Sequence, residues 1–312
     1  MKILITGAKG MLGQMLVEVL GKKHELVLTD RQEMDVTNEL KVRKVIKFVK
    51  PDFIIHAAAY VDVEKAESEK TLCNKINVRG SANIAKTAKK VGATVIYVST
   101  DYVFDGKKKI PYQEIDKANP LGIYAKSKLG GECEIIKNCP KHYILRIAWL
   151  FGECEGGRNF VQTMIDLAKK KPSIEVINDQ IGSPTYTRDL AKVILRIVSS
   201  QLQVAGRRKT AVSCQPSGKK AEYCNLKAES YSLPYGIYNF SGKGETTRFG
   251  FTKEIFKNAK IKSELIPIAT KDFFQKAPRP AYSYLDKTKI EKALGIKVRS
   301  WQAMLMDYFR SV

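Results

Sequence analysis

Lys2-Ile3-Leu4-Ile5-Thr6-Gly7-Ala8-Lys9-Gly10-Met11-Leu12-Gly13 is the stretch from which the rest of the chain can be read. Residues 2–6 are apolar and rich in β-branched side chains, which predicts a buried strand. Three glycines follow at G-x-x-G-x-x-G spacing, and Leu16, Val19 and Leu20 then continue an apolar helical pattern. A strand that turns through glycines into a helix presents helix-start amides to a phosphate. Gly7 suits the tight turn, Gly10 lets backbone approach a pyrophosphate, and Gly13 lets the helix pack close to the strand. The commoner dinucleotide fingerprint is G-x-G-x-x-G; here the first glycine lies one residue earlier.

Reading outward, a second strand over residues 25–29 ends at Asp30, about twenty residues past the turn, where an acid can bind a ribose 2′-hydroxyl. Arg31 follows, and a guanidinium there can hold a 2′-phosphate instead. The sequence therefore leaves NADH and NADPH both open. Asp35 and Val36 come next, placed to border an adenine. Further strands are predicted over residues 52–56, 94–99 and 142–148, with helical patterns between them. Strands alternating with helices predict an α/β fold with a parallel sheet covered on both faces. Ligands then bind beyond the carboxyl ends of the strands. Ala57-Ala58-Ala59, Ser99-Thr100-Asp101 and Trp149 all lie just past such ends.

Tyr124 and Lys128 carry the chemistry. They are four residues apart in a helical stretch and so share a face. A free phenol titrates near pH ~10. A neighbouring ammonium and the positive nicotinamide ring of an oxidised cofactor both favour its phenolate, which would make Tyr124 a workable general acid. Thr100 supplies a hydroxyl that can orient a carbonyl oxygen toward Tyr124. A tyrosine and lysine at this spacing are common on helix surfaces. Their position downstream of the glycine turn and of the strand-end Thr100 is what marks them as a hydride-transfer site.

Composition narrows the classes. The 312 residues suffice for one large α/β domain or slightly more. No apolar run reaches membrane-spanning length and no leader pattern precedes the first strand, so a cytoplasmic protein is expected. Cys73, Cys133, Cys139, Cys154, Cys214 and Cys224 show no metal spacing and are expected as free thiols. The chain has 54 Lys and Arg against 32 Asp and Glu, a net charge of +22. Such a charge can signal nucleic acid. Its lysines are scattered without interleaved aromatics, however, so a solvated surface that attracts anionic ligands is expected instead. Residues 1–175 are expected to form the dinucleotide-binding domain and residues 176–312 mostly the substrate-binding part. Residues 201–234, polar and without periodicity, are expected as a loop or insertion.

These residues together resemble the extended short-chain dehydrogenase/reductases, and within them the dTDP-4-dehydrorhamnose reductase branch. The likeness runs through Gly7–Gly13, His56 to Tyr60, Lys65 to Glu69, Ser99 to Phe104, Asn119-Pro120-Leu121, Tyr124 to Lys128, Arg146 to Trp149, Val176 to Gln180 and Arg279-Pro280. It implies a Rossmann-like doubly wound sheet with a smaller C-terminal α/β substrate domain. The implied activity is NAD(P)H-dependent reduction of the C4 keto group of dTDP-4-dehydro-L-rhamnose. Gly10, Met11 and Leu12 would give amides to the cofactor, and Ala57, Ala58 and Ala59 would line it. Thr100, Asp101 and Trp149 would meet the sugar. Asn159, Gln180 and Arg279 would hold the nucleotide half, Arg279 at the diphosphate.

The resemblance also allows a homodimer. Some relatives hold a metal where an acid follows the Pro184-Thr185 segment; Arg188 stands there, so no metal is expected. Tyr60 stands where a smaller or polar residue is expected. Another nucleotide-sugar reductase, an epimerase or a 4,6-dehydratase is the rival enzyme reading; a dehydratase would need an Asp-Glu pair after the active-site threonine, whereas Asp101 is followed by Tyr102. A non-catalytic regulatory subunit, similar to that of methionine adenosyltransferase, would share the cofactor site and lack turnover.

Overall fold

The computed structural model describes residues 1–156, 159–210 and 233–312, without the side chains of 202–210. Six parallel strands run side by side in the order Gly236–Phe240, His142–Ile147, Thr94–Thr100, Phe53–His56, Lys2–Thr6 and Glu25–Thr29. Side chains alternate between two apolar layers. Ile3 and Ile5 meet Leu12 and Leu16 of the helix Met11–Leu20 on one face. Leu4 meets Val42 and Ile46 of Glu39–Val49, and Ile84 of Ser81–Val91, on the other. Phe53 and Ile55 against Ile54, and Tyr143 and Leu145 against Ile144, repeat the division. A sheet dry on both faces is what near-continuous apolar strands require. The strand expected to reach residue 148 stops at Ile147, because Trp149 takes a left-handed backbone with φ 46°.

Residues beyond 175 also build the dinucleotide half. Gly236–Phe240 pairs in parallel with His142–Ile147 at the sheet's edge. Leu190, Ile194 and Ile197 of the helix Thr187–Thr210 pack in the same layer as Leu12 and Leu16. Residues 201–210, expected as loop, continue that helix. The stretch 211–232 of the expected insertion lies outside the described residues. The rest of the C-terminal part uses short strand pairs, Ser173–Ile177 with Glu264–Ile268 and Ile181–Gly182 with Thr246–Thr247. It joins the sheet's carboxyl edge where Val103, Phe104 and Ala148 pack with Tyr282 and Leu285. Among the described residues, no helix is long and apolar enough to cross a membrane.

The helix Ile123–Asn138 is held to the sheet by a buried ion pair. Arg146 Nε and Nη2 donate to the two oxygens of Glu132 at 3.0 and 2.7 Å, and Ser99 Oγ donates to Glu132 Oε1 at 2.5 Å. The fork geometry satisfies both charges without water. Removing one partner strands the other charge in a dry interior. Arg146→Ala is therefore expected to cost about 3–5 kcal/mol of unfolding free energy in a urea titration. The apolar double replacement Glu132→Leu with Arg146→Met should recover at least half of that loss.

Candidate active site

The glycine turn is shaped by close approach. Gly7 leaves its strand at φ 69°, and a Cβ there would stand 2.9 Å from backbone atoms of Ala58. A Cβ on Gly13 would fall 2.2 Å from the Gly7 carbonyl oxygen. The helix Met11–Leu20 therefore presses on the turn, and the turn on the segment after the third strand. That helix starts at Gly10 with no side-chain cap and no acid in its first turn. Its first amides are left to a ligand, and a pyrophosphate suits both the donors and the dipole. The Lys9 amide donates to Asp30 Oδ2 at 2.9 Å, tying the turn to the second strand's end.

A cavity of about 780 Å³ opens there. It lies beyond Lys2–Thr6 and Phe53–His56, from which the chain winds outward in opposite directions. Gly7, Gly10, Met11, Leu12 and Gly13 form one wall, and Ala57, Ala58 and Ala59 the facing one. Asp30, Arg31, Asp35 and Val36 also line it, as do Thr100, Tyr124, Lys128 and Trp149. The residues expected at a dinucleotide thus share one cleft, and their chemistry fits that ligand.

Neutral hydrogen bonds hold the far wall. Thr6 Oγ1 accepts from the Ala58 amide at 3.1 Å and lies 2.9 Å from His56 Nδ1. Ser81 Oγ donates to the Asn77 carbonyl at 2.6 Å and lies 3.2 Å from His56 Nε2. Since Ser81 has spent its proton, His56 donates from Nε2 and accepts at Nδ1 from Thr6. Burial, reinforced by the charge of Lys128, lowers His56 to about 3 and keeps it neutral. Asn77, on the π-helical turn Lys75–Gly80, accepts from the Tyr60 amide at 2.8 Å and donates to Ser127 Oγ at 2.8 Å. Ser127 belongs to the helix that carries Tyr124.

At the reactive end, Thr100 Oγ1 donates to Asp101 Oδ1 at 3.0 Å and accepts from the Tyr102 amide at 3.2 Å. Lys128 Nζ donates to the Val98 carbonyl at 2.7 Å and sits 4.1 Å from the Tyr97 ring centroid. Burial lowers Lys128 to about 7, against the pull of Glu132. Burial raises Asp101 to about 6, opposed by Ser283, Thr100 and Arg248, and among the described residues its Oδ2 meets the hydrogen-bond criteria with no partner. The expected depression of Tyr124 is not found. Burial and the Asp101 carboxylate raise its phenol, and the Thr100 hydroxyl only partly offsets them. A raised phenol keeps its proton through neutral pH, the form a proton donor needs.

A second cavity of about 730 Å³ is lined by Gln180 and Arg279 together with Tyr102 and Arg248. Gln180 Nε2 donates to Thr270 Oγ1 at 3.2 Å, and Arg279 donates to Glu64 at 2.8 Å and to Gln275 at 3.0 Å. The Arg248 guanidinium of this cavity lies 3.8 Å from the ring centroid of Trp149, a residue that lines the first. A Cβ on Gly182 would come 2.8 Å from the same indole, so only glycine fits beside it. Asn159 is not part of either cavity. Its Oδ1 caps the helix Phe160–Ala168 by accepting from Gln162 N, and its Nδ2 donates to the Gly152 carbonyl at 2.7 Å. Arg188, where an acid was looked for, pairs with Glu18 at 2.7 Å and Glu153 at 3.6 Å. Sequence reasoning missed Arg248 and Asn77. Neither has a spacing that distinguishes it from an ordinary helix residue.

A glycine turn at the switch point, sharing one cleft with Tyr-x-x-x-Lys and a strand-end threonine, defines an extended short-chain dehydrogenase/reductase. The sequence profile described as RmlD substrate binding domain matches residues 1–211 and 221–312. The dTDP-4-dehydrorhamnose reductase of Aggregatibacter actinomycetemcomitans is 38% identical over 314 residues, 98% of this chain and 97% of that one. A crystal structure of a dTDP-4-dehydrorhamnose reductase from Clostridium acetobutylicum has TM-score 0.86 at 38% identity, covering 100% of this chain and 99% of its own. The Bacillus anthracis enzyme of that name, solved in complex with NADP, has TM-score 0.86 at 34% identity with the same coverage. The chain belongs to the dTDP-4-dehydrorhamnose reductase family of oxidoreductases.

The neutral His56 links stability to pH. In the unfolded chain it titrates near ~6.5, and in the fold at about 3. The unfolded state therefore binds the extra proton between those values, so this contribution is complete above about 6.5 and lost as pH falls toward 3. Across that window the urea stability of the protein is expected to fall by up to about 1.4 kcal/mol per pH unit from this group alone. His56→Asn should show a correspondingly shallower slope; parallel slopes would contradict the assignment.

Proposed function

We propose that this chain reduces the C4 keto group of dTDP-4-dehydro-L-rhamnose to dTDP-L-rhamnose, with NADPH or NADH. The observation that carries this is the meeting of Tyr124, Lys128 and Thr100 in the cleft that the glycine turn opens, in a member of this reductase family. When bound, the reduced nicotinamide supplies hydride. Met11, Leu12 and their neighbours would hold its phosphates, and Asp30 and Arg31 would meet the adenosine ribose. Thr100 Oγ1 would orient the C4 oxygen by turning its hydroxyl proton from Asp101 Oδ1 to that oxygen. Tyr124 gives that oxygen its proton. Lys128, lowered to about 7 by burial, would meet the ribose hydroxyls and, in its ammonium form, place a positive charge on the helix face it shares with the phenol. The unpartnered Asp101 Oδ2 accepts from a sugar hydroxyl, and Trp149 packs beside the ring.

The direct test is cofactor oxidation by the purified protein with dTDP-4-dehydro-L-rhamnose, NADH and NADPH compared side by side. Turnover supports the reading. Bound cofactor without turnover would favour a regulatory subunit. Tyr124→Phe is expected to keep cofactor affinity and lose at least about a hundredfold in kcat, the usual worth of a positioned acid. Near-normal kcat would sink the role given to Tyr124. Asp30→Ala should raise KM for both cofactors, since Asp30 also holds the Lys9 amide. The increase should be larger for NADH; equal losses would mean that Asp30 does not read the ribose.

A further inference from the structure

Two guanidiniums wall the second cavity; Arg279 is ion-paired, whereas Arg248 has, among the described residues, only the attraction of the Asp101 carboxylate from beyond contact distance. Arg279 is engaged by Glu64 at 2.8 Å. The same carboxylate accepts from the Lys276 amide at 2.7 Å, so this pair fastens the segment carrying Phe273 and Phe274. Around Arg248, among the described residues, no carboxylate comes within 4.0 Å. Among the described residues its side chain makes one hydrogen bond, a long one of 3.4 Å from Nη2 to Tyr102 Oη. It is held by stacking instead, 3.8 Å from the Trp149 ring centroid and 5.2 Å from that of Phe160. Burial, together with the nearby charge of Arg279, lowers its guanidinium, though an arginine remains charged in proteins. A half-buried cation that faces a cavity with most of its five donors unspent is completed by an anion bound there. The planar fork matches phosphate oxygens in pairs.

We propose that Arg248, rather than Arg279, is the principal protein ligand of the substrate's diphosphate. This rests on the nucleotide-sugar reading above and assigns the charge recognition within it. Arg248 lines the second cavity and stacks on Trp149, which lines the reactive cleft. A diphosphate bound there would sit at the joint between sugar and nucleoside. Arg279, already paired, keeps the cavity's outer segment in place.

The test is calorimetric binding of dTDP and of thymidine to the full chain with NADPH present, for wild type, Arg248→Met, Arg248→Lys and Arg279→Met. Arg248→Met is expected to weaken dTDP by roughly ten- to a hundredfold and thymidine by less than about twofold, the loss of charge-assisted hydrogen bonds alone. Arg248→Lys should recover part of the loss. Undiminished dTDP binding by Arg248→Met, equal losses for both ligands, or a larger dTDP-specific loss in Arg279→Met would overturn the assignment. Wild type that binds NADPH but not dTDP would overturn the nucleotide-sugar reading itself. Should Arg248→Met not fold, phenylglyoxal labelling of wild type decides: dTDP should protect Arg248 more than Arg279, and the reverse order contradicts the proposal.

Discussion

The bidentate pair between Glu132 and Arg146 is the contact on which the reactive geometry depends. Ion pairs in a dry interior give back little of their desolvation cost, so this one is better understood as a positioning device than as a source of stability. Glu132 lies on the helix that carries Tyr124 and Lys128, and Arg146 on the strand His142–Ile147. Ser99, which donates to the same carboxylate, immediately precedes Thr100. One carboxylate therefore sets helix, strand and threonine against each other. Its charge also reaches Lys128, opposing the desolvation that lowers that ammonium.

On the other side of the cleft the protein uses neutral groups. Thr6, His56, Ser81 and Asn77 pass hydrogen bonds from one strand end to the π-helical turn Lys75–Gly80, and onward through Ser127 to the helix that carries Tyr124. The alanine segment that faces the glycine turn hangs from this chain through Thr6. An ionised histidine there would have one donor too many, which is why its neutrality and the shape of the cleft are linked.

The sheet was legible because its strands are apolar on both faces, a pattern that survives without tertiary information. Strand ends were legible to within a residue or two, except where a backbone conformation intervened, as at Trp149. The helical continuation through residues 201–210 was not, since polar composition there hides the packing of its first half on Met11–Leu20. A boundary at residue 175 looked natural in sequence. In the fold, the strand Gly236–Phe240 crosses it, because the outer edge of a parallel sheet can be completed by a strand remote in the chain. Residues tied to a spacing rule line one cleft. Asn159 lies outside both cavities and caps a helix, a role an asparagine before an apolar helix serves equally well.

By itself the sequence determined the strand–turn–helix at Gly7, the alternation that makes a doubly wound sheet, and the pairing of Tyr124 with Lys128. Each depends on periodicity or on the conformational freedom of particular residues, properties that belong to a local stretch of chain. Only the tertiary structure decided which charges are compensated. Burial raised the phenol of Tyr124 where a neighbouring ammonium was expected to lower it. Glu64 claimed Arg279, while Arg248 was left against an aromatic ring and an open cavity. Desolvation and partner choice depend on everything packed around a group, and no pattern along the chain encodes them.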